Sequence, residues 1–508
     1  MITAKLKYRF TRLWMREYLF VADPVSLTGP FSHGGGRDYS RINSLCSRCT
    51  LWEISIPGGN EMPKKNLNQL RTEAAMRFIQ IPGPNPILRP AEDPSAWDSS
   101  ILECCNVFRD GMTGWSDNYT PETYYLYYHA RTRRPEKWGG RPGYRLGVAS
   151  APHPLGPWTK YSGNPVIDLG PEGSWEDRWV ACAAVLKEGS DKYYLWYNGN
   201  GYIGLATASN PLGPWAKYEG NPIHELRCYI GGVVKVEGKY FMYCEYPIGE
   251  SSPDQGPFIL LTADRPEGPW TAYDNNPVLT PDDWGSWDDG GFSESGVLYH
   301  DGVFHMFYGA TKWSKLESIG YAYSLDGMSW HKHHANPVGD RHRNPDANAF
   351  AEVHTLWEPP FFYVYHTLRY ISRGGEDLGV QVFATETPFR LPMPVLALDS
   401  LSSGESSKLA ACSPISLERV TRLSLETAGT YHAEASRGMV MHVKASSDGI
   451  HFNTEYLATF NLPLGPGERV SATFPVDVNA MFVKVVLENP DAAHEIRDVQ
   501  VKAILGSQ

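Results

Sequence analysis

The chain has 508 residues, of which 13% are aromatic, with 48 Gly, 39 Pro and a net charge of −11. This length exceeds one ordinary domain, and the acidic balance without a basic patch argues against a nucleic-acid-binding surface. No apolar run approaches the ~18 residues that a membrane-spanning helix needs.

The first segment, 1–78, is predicted to be a poorly defined N-terminal extension or an artefact of the gene model, with Met62 or Met76 as alternative starts. It lacks the continuous apolar core of a signal peptide, which predicts a cytoplasmic location. A short helix is expected over 66–80. The lone Cys46-x-x-Cys49 pair has no second pair at zinc spacing, so no metal site is predicted from it.

From residue 79 a repeat dominates the chain. The dipeptide Asn-Pro recurs at intervals of 79, 57, 55 and 60 residues. Each unit carries an apolar segment, a turn and an aromatic segment such as Tyr193–Tyr197. A third segment follows, and a fourth ends at the next Asn-Pro. Four short strands per unit of this length are typical of a propeller blade. The prediction is therefore an all-β protein whose catalytic domain, 79–400, is a five-bladed β-propeller.

The clearest hairpin in this region is Ser295–Gly309. Its Asp301-Gly302 pair stands between two apolar and aromatic runs, which is a strong signal for a two-residue β-turn.

The tail, 401–508, has a different pattern. A polar linker is predicted at Ser402–Lys408, and alternating segments such as Gly438–Lys444 and Met481–Leu487 follow. Several strands at short spacing in about 100 residues predict a β-sandwich. The run Ser-Asp-Gly-Ile-His-Phe with Phe-Val-Lys-Val resembles discoidin or galactose-binding-like modules.

Three of the five units place a carboxylate at the same depth of the first strand. Glu103 and Glu294 each precede a turn by seven residues, while Ala181 and Ile230 hold that place in the second and third units. In the fifth unit, counting back from the turn in the same way leads to Glu352. Since a closed ring makes the fourth, fifth and first blades neighbours, the three acids are expected in one central funnel.

Such a cluster suits cleavage of a glycosidic bond. One carboxylic acid protonates the leaving oxygen and a carboxylate activates water, at roughly 6.5–9.5 Å in an inverting enzyme. Crowding raises the pKa of one acid, so that it stays protonated near neutral pH. Glu103, Glu294 and Glu352 are therefore the predicted catalytic residues, with the roles of acid and base open.

Further residues are candidates for substrate contacts. Three loops before first strands carry a Trp-acid motif, and a histidine follows Glu352 by two positions. The Trp rings could stack on sugar, although packing between blades explains them equally well. The predicted substrate-binding residues are Trp97, Asp98, Asp177, Arg178, Trp287, Asp289 and His354.

The repeated Gly-Pro-Trp…Asn-Pro-Val linkers, Ser-Trp-Glu-Asp and His-Asp-Gly-Val-Phe-His-Met-Phe-Tyr-Gly resemble the five-bladed β-propeller glycoside hydrolases, families 32, 43, 62, 68, 117 and 130. The resemblance covers about 80–400 and implies inverting hydrolysis of a sugar linkage. The usual pattern of families 32 and 43 puts two Asp and a Glu on the first three blades. Acids on the first and last two blades are more similar to family 117.

The leading hypothesis is a glycoside hydrolase acting on an oligo- or polysaccharide. One alternative is a glycoside phosphorylase, which needs a phosphate site, with Arg178, Arg227 and Arg369 as scattered candidates. Another is a non-catalytic carbohydrate-binding propeller. No cofactor is predicted, and a divalent cation at the channel centre stays open. A carbohydrate is the expected partner, with no nucleic acid and no membrane.

Overall fold

The computed structural model describes residues 76–110, 123–246, 256–312, 316–339, 349–370 and 375–507. Within these ranges the chain is all-β, as predicted, and its helices are the short 3-10 turns Pro135–Trp138 and Leu409–Ala411. No helix in this part of the chain is both long and apolar enough to cross a membrane. Residues 65–508 make up one compact unit.

Five antiparallel sheets, numbered I to V here, follow one another along the chain. Sheet I contains β2 (Ile101–Asp110), β3 (Thr123–Arg131), β4 (Arg145–Ala151) and β5 (Thr159–Lys160). Sheet II contains β6 (Val180–Glu188), β7 (Lys192–Gly199), β8 (Tyr202–Ala208) and β9 (Ala216–Lys217). Sheet III contains β10 (Tyr229–Val236), β11 (Lys239–Glu245), β12 (Phe258–Ala263) and β13 (Thr271–Ala272).

Sheet IV has a first strand in two pieces. It contains β14 (Gly291–Phe292), β15 (Val297–His300), β16 (Val303–Lys312), β17 (Leu316–Ser324) and β18 (Trp330–Lys332). Sheet V contains β19 (Ala349–Glu358), β20 (Phe361–Arg369), β21 (Glu376–Ala384) and, from the other end of the chain, β1 (Ile79–Pro82). The predicted helix over 66–80 is wrong where it can be judged, because Ile79 and Gln80 lie in β1; residues 66–75 lie outside the described ranges.

The first strands of the five sheets contact one another in cyclic order. β2 contacts β6, β6 contacts β10, β10 contacts β15, β15 and β16 contact β19, and β19 contacts β2. Their closest approaches require small residues. A Cβ on Gly231 would lie 2.4 Å from the carbonyl oxygen of Ser295. Residues at the start of these five strands therefore face a common centre.

The predicted hairpin at Asp301-Gly302 is confirmed. His300 pairs with Val303, and both turn residues have positive φ, 49° for Asp301 and 78° for Gly302. A turn with two positive φ values matches the right-handed twist of the strands it joins.

The recurring Asn-Pro pair has a structural reason. Each Asn side chain accepts from the backbone N–H and donates to the C=O of one residue in the third strand of a sheet, as Asn164 does with Val148 at 2.9 Å in both directions. Asn85, the first of the series, makes this pair with Val380 in β21. The first Asn-Pro pair of the sequence is therefore hydrogen-bonded to the last of the five sheets.

The Trp-acid motifs also act within their sheets. Each Trp ring packs on a Tyr of the second strand, with centroids 5.6–5.8 Å apart. The acid that follows is buried and forms an ion pair with a Lys of the fourth strand. The three pairs are Asp98–Lys160, Glu176–Lys217 and Asp288–Lys332.

Two further antiparallel sheets form the C-terminal part. Sheet VI contains β22 (Arg390–Leu401), β24 (Arg422–Tyr431), β27 (Arg469–Val476) and β29 (Ile496–Gly506). Sheet VII contains β23 (Ile415–Ser416), β25 (Val440–Ser446), β26 (Ala458–Asn461) and β28 (Phe482–Glu488). Apolar side chains of both sheets share one core, which continues into sheets I and V.

The junction between the two parts differs from the expected linker. β22 begins at Arg390, inside the range assigned to the first domain, and pairs with β29. Ser407, expected in a linker, donates its backbone N–H to Leu487 and accepts from the N–H of the same residue. The segment is held to β28 through hydrogen bonds that composition does not reveal. Of the predicted extension, residues 1–75 and the Cys46–Cys49 pair lie outside the described ranges.

Candidate functional site

Bulges interrupt the first strands where they face the centre. The register shifts between Cys104 and Asn106 in β2, between Ala181 and Ala184 in β6, and between Ala351 and His354 in β19. Cys182 and Glu352, inside two of these bulges, have positive φ values of 53° and 45°. Bulges re-aim side chains, and strained residues of this kind concentrate at functional sites at a cost of about 1–3 kcal/mol each.

Glu103 is buried and is contacted by a histidine and a tyrosine. Its Oε2 contacts Nε2 of His129, the residue opposite it in β3, and its Oε1 accepts from the hydroxyl of Tyr144 at 3.1 Å. Burial disfavours the charged carboxylate, but the charge and hydrogen bond of His129, with Glu376 and Arg369, together outweigh burial and hold the pKa of Glu103 well below its usual range. Burial also opposes charge on His129, while Cys105 and Glu103 raise its pKa above the ordinary value.

Glu294 lies between β14 and β15 and is partly exposed. Its Oε1 accepts from the thiol of Cys182 at 3.3 Å. Burial of the carboxyl raises the pKa of Glu294, and the charge of Glu103 acts in the same direction. Glu294 is thus biased towards the protonated form, while Glu103 is biased towards the ionised form.

Glu352 is buried and bonded to Arg369. Its backbone N–H donates to Ser293 Oγ at 3.2 Å, and its Oε1 contacts the guanidinium of Arg369. Its Oε2 has no hydrogen-bond partner among the described residues. Burial raises the pKa of Glu352 well above its usual range, against the pull of Arg369.

Arg369 connects Glu352 to two more carboxylates. The guanidinium lies 3.0 Å from Glu317 in β17 and 3.2 Å from Glu376 in β21. Three carboxylates on one cation leave a local excess of negative charge. Such an excess favours retention of a proton on at least one of the acids.

Glu376 is the acid of this cluster that also lines a cavity. Its carboxyl shares a hydrogen bond with that of Glu103, and burial together with the charge of Glu103 raises the pKa of Glu376 to about 8. It also lines a cavity of about 380 Å³, together with Arg89, Arg133 and Tyr370. This volume falls within the range of small-molecule sites.

The three predicted catalytic residues therefore meet in one cluster. His129 touches Glu103, its Nδ1 lies 3.4 Å from the backbone nitrogen of Cys182, and the Cys182 thiol reaches Glu294. Ser293, next to Glu294, accepts the N–H of Glu352. The charges of Glu103 and Glu294 both act on the pKa of Glu352. Glu103 from the first repeat unit and Glu352 from the fifth are thus close neighbours in space.

The predicted substrate contacts are placed mostly elsewhere. Trp97 and Asp98 take part in packing and an ion pair within sheet I. Trp287 packs in the same manner on Tyr308 of sheet IV. Asp289 accepts from the N–H of Gly285 at 2.8 Å and so closes its own loop. The structure assigns these four residues roles in holding loops and sheets, and contact with substrate stays a prediction for them.

Asp177, Arg178 and His354 complete the predicted set. Asp177 accepts from the N–H of Gly173 and from Asn200 at 2.8 and 2.9 Å, and Arg178 is exposed. His354 is buried on β19, just after the bulge that contains Glu352. Burial lowers the pKa of His354 to about 3, which keeps this ring uncharged and makes it a poor proton donor.

Sequence reasoning did not select His129, Glu317 or Glu376, and it weighed Arg369 only as part of a phosphate site. The register of the second strands could have found His129, because it lies directly opposite Glu103. The register does not lead to Arg369, which pairs with Ala349 at the end of β20. In the sequence, counting back from the turn places Ile230 of the third unit at the depth of Glu103. The register places Tyr229 there instead, because Tyr229 pairs with Glu245 in the same way as Glu103 pairs with His129.

Comparison with known proteins adds a likeness in structure. No family model and no curated protein matches the sequence. A solved glycoside hydrolase is 15% identical, with a TM-score of 0.48 over 63% of this chain and 96% of that one. The catalytic domain of a Coprinopsis cinerea GH62 alpha-L-arabinofuranosidase is 13% identical, with a TM-score of 0.41 over 61% and 97%.

A family 117 glycoside hydrolase from the marine bacterium Zobellia galactanivorans is 14% identical, with a TM-score of 0.38 over 61% of this chain and 91% of that one. Families 62 and 117 are among those that the sequence motifs resemble. These scores are too low to assign a family or an activity, so any assignment must rest on the site itself.

Proposed function

We propose that this chain is a glycoside hydrolase whose five repeated sheets are the blades of a β-propeller and whose last two sheets form a sandwich that braces it. The observation that carries the proposal is the cluster of Glu103, Glu294 and Glu352, from three different sheets, beside the cavity that Glu376 lines. Cleavage of a glycosidic bond requires an acid and a base of unequal pKa, and this cluster supplies both.

In this proposal Glu103 is the base and Glu294 is the acid. Glu103 is kept ionised by His129 and oriented by Tyr144, so it can take a proton from an attacking water. Glu294 is biased to the protonated form and can donate a proton to the leaving oxygen. Glu352, which forms an ion pair with Arg369, is the third acid, and burial and the charges of Glu103 and Glu294 raise its pKa. Direct attack by water makes the reaction inverting.

Variants with altered acids test these roles. Glu294→Gln should retain much more activity on substrates with acidic leaving groups, such as 2,4-dinitrophenyl glycosides, than on alkyl glycosides, because a good leaving group needs no protonation. Glu103→Gln should lose activity on both by about 10²-fold or more. The exposed Glu455 provides the control Glu455→Gln, which should behave as the wild type. Equal losses for both substrate classes in Glu294→Gln would contradict its role as the acid.

The screen should use pentosides and hexosides of both anomers, and the first product should be followed by NMR. An initial product of inverted anomeric configuration is expected. Two Arg side chains in the cavity wall, Arg89 and Arg133, favour a phosphorylase as the second candidate, since phosphate requires positive charge. Phosphate-dependent turnover with a glycosyl phosphate product would select it. Sugar binding without turnover would leave a non-catalytic binding protein.

A further inference from the structure

Three side chains at one end of sheet VI bring metal-ligating atoms close together. His432 follows β24 directly, Glu434 lies two residues later, and His494 precedes β29. One nitrogen of each ring and one carboxylate oxygen all lie within 4.8 Å of one another. The two imidazole rings are nearly parallel, with centroids 4.4 Å apart. The cluster is far along the chain from the acids of the proposed active site and does not depend on the proposed reaction.

The contacts around the cluster bring the ring nitrogens close to carboxylates. Nε2 of His494 lies 3.6 Å from Glu434 Oε2, close enough for both atoms to bind one ion. Nδ1 of the same ring lies 3.4 Å from Asp491 Oδ1 and has no hydrogen-bond partner among the described residues. The N–H of Glu434 donates to Nδ1 of His432 at 3.2 Å, and rotation of this exposed ring would free that nitrogen.

Asp491 fixes the position of His494. Its carboxylate is buried and accepts backbone N–H groups from Ser436, Ala493 and His494 at 2.6–3.0 Å. Metal-bound histidines commonly direct their second nitrogen at a carboxylate held in this manner, which sets the tautomer and the direction of the ring. The support for a ligand is therefore already in place.

We propose that one ring nitrogen of His432, Nε2 of His494 and the Glu434 carboxylate bind a divalent transition-metal ion of the zinc class. With bonds of about 2.0–2.2 Å, tetrahedral zinc places its ligands roughly 3.4 Å apart, close to the 3.6 Å between His494 and Glu434. His432 and Glu434 are exposed, so their side chains can rotate to complete the site. Two nitrogens and one oxygen suit zinc better than calcium or magnesium, which prefer oxygen.

The ion would join the end of β24 to the start of β29. These strands are neighbours in sheet VI, where Tyr431 pairs with Ile496. Metal binding to the folded chain alone stabilises it by mass action, so the thermal midpoint of the C-terminal sheets should rise with zinc concentration.

The test uses the full-length chain, stripped of metal with EDTA and dialysed, with Zn²⁺ as the probe. Calorimetric titration should show a site that His432→Ala and Glu434→Gln each weaken at least tenfold, and zinc should raise the thermal midpoint of the wild type but not of the double variant. Magnesium at the same concentration should raise neither. Because both residues are exposed, the variants should fold, which circular dichroism checks.

His451→Ala is the matched control, since His451 is an exposed histidine that also contacts a carboxylate, that of Asp448. It should bind zinc as the wild type does. The proposal is overturned if zinc produces no rise in the midpoint, if the double variant binds zinc as tightly as the wild type, or if His451→Ala loses as much affinity as His432→Ala.

Discussion

Replacing Glu376 by Gln should stabilise the protein at high pH and leave it almost unchanged at low pH. Burial and the charge of Glu103 raise the pKa of Glu376 to about 8 in the folded chain, from an ordinary value of 4.5. The folded state therefore holds a proton that the unfolded state loses between these values, and the free energy of unfolding falls as pH rises through this window. The amide of Gln, which does not titrate, donates to Glu103 as the protonated carboxyl does.

The size of the effect follows from the same numbers. A difference of 8 − 4.5 corresponds to about 5 kcal/mol when the wild-type carboxyl is forced to ionise. The side chain is 19% exposed, and water reduces the penalty. We therefore expect Glu376→Gln to gain about 2–4 kcal/mol relative to the wild type at pH 9 and close to none at pH 4.

Urea unfolding of the full-length wild type and variant at pH 4, 7 and 9 measures this difference. The midpoint of the variant should move above that of the wild type as pH rises, with Glu455→Gln as the exposed control. A difference in midpoint that is the same at all three pH values would refute the reasoning, because it would mean that Glu376 does not hold a proton in the folded state at neutral pH.

Three further changes have expected outcomes. Lys332→Met should lower the free energy of unfolding by about 3–5 kcal/mol, since it leaves Asp288 buried without its cation, and adding Asp288→Asn should recover part of the loss in the same urea assay. Gly320→Ala should cost about 1–3 kcal/mol in thermal or urea unfolding, because its Cβ would lie 2.5 Å from an aromatic ring of the neighbouring strand. His129→Gln should raise the pKa of Glu103, so the acidic limb of the pH profile of kcat/KM should move to higher pH, and an unmoved limb would exclude Glu103 as the base.

The sequence was sufficient for the repeated strands because their signals are local. Aromatic runs, Asn-Pro pairs and the Asp301-Gly302 turn each encode a contact within one sheet. The depth of Glu103 could be read from a turn for the same reason. The all-β class and the strands of sheets I to V were accessible in this way.

The remaining features depend on contacts between distant parts of the chain. Arg369 is one Arg among many until the fold brings Glu317, Glu352 and Glu376 to it. The bulge at Glu352 breaks the alternation of the strand, so a spacing of two residues does not put His354 on the same face as Glu352. The Trp-acid motifs suggested sugar contacts because the sequence around Trp97, Trp175 and Trp287 is the same whether the ring stacks on a ligand or on a neighbouring Tyr.

The pairing of β1 with β21 also has a consequence for how the chain is made. Ile79 lies opposite Ala384, so the last of the five sheets receives its outer strand from residues synthesised some three hundred positions earlier. During synthesis β1 has no strand to pair with until β21 has left the ribosome, so its backbone donors and acceptors face water until then. Contacts this distant in sequence slow folding and leave an unpaired edge exposed in the meantime. Nascent chains that end before residue 384 should therefore be the ones that most need protection from aggregation.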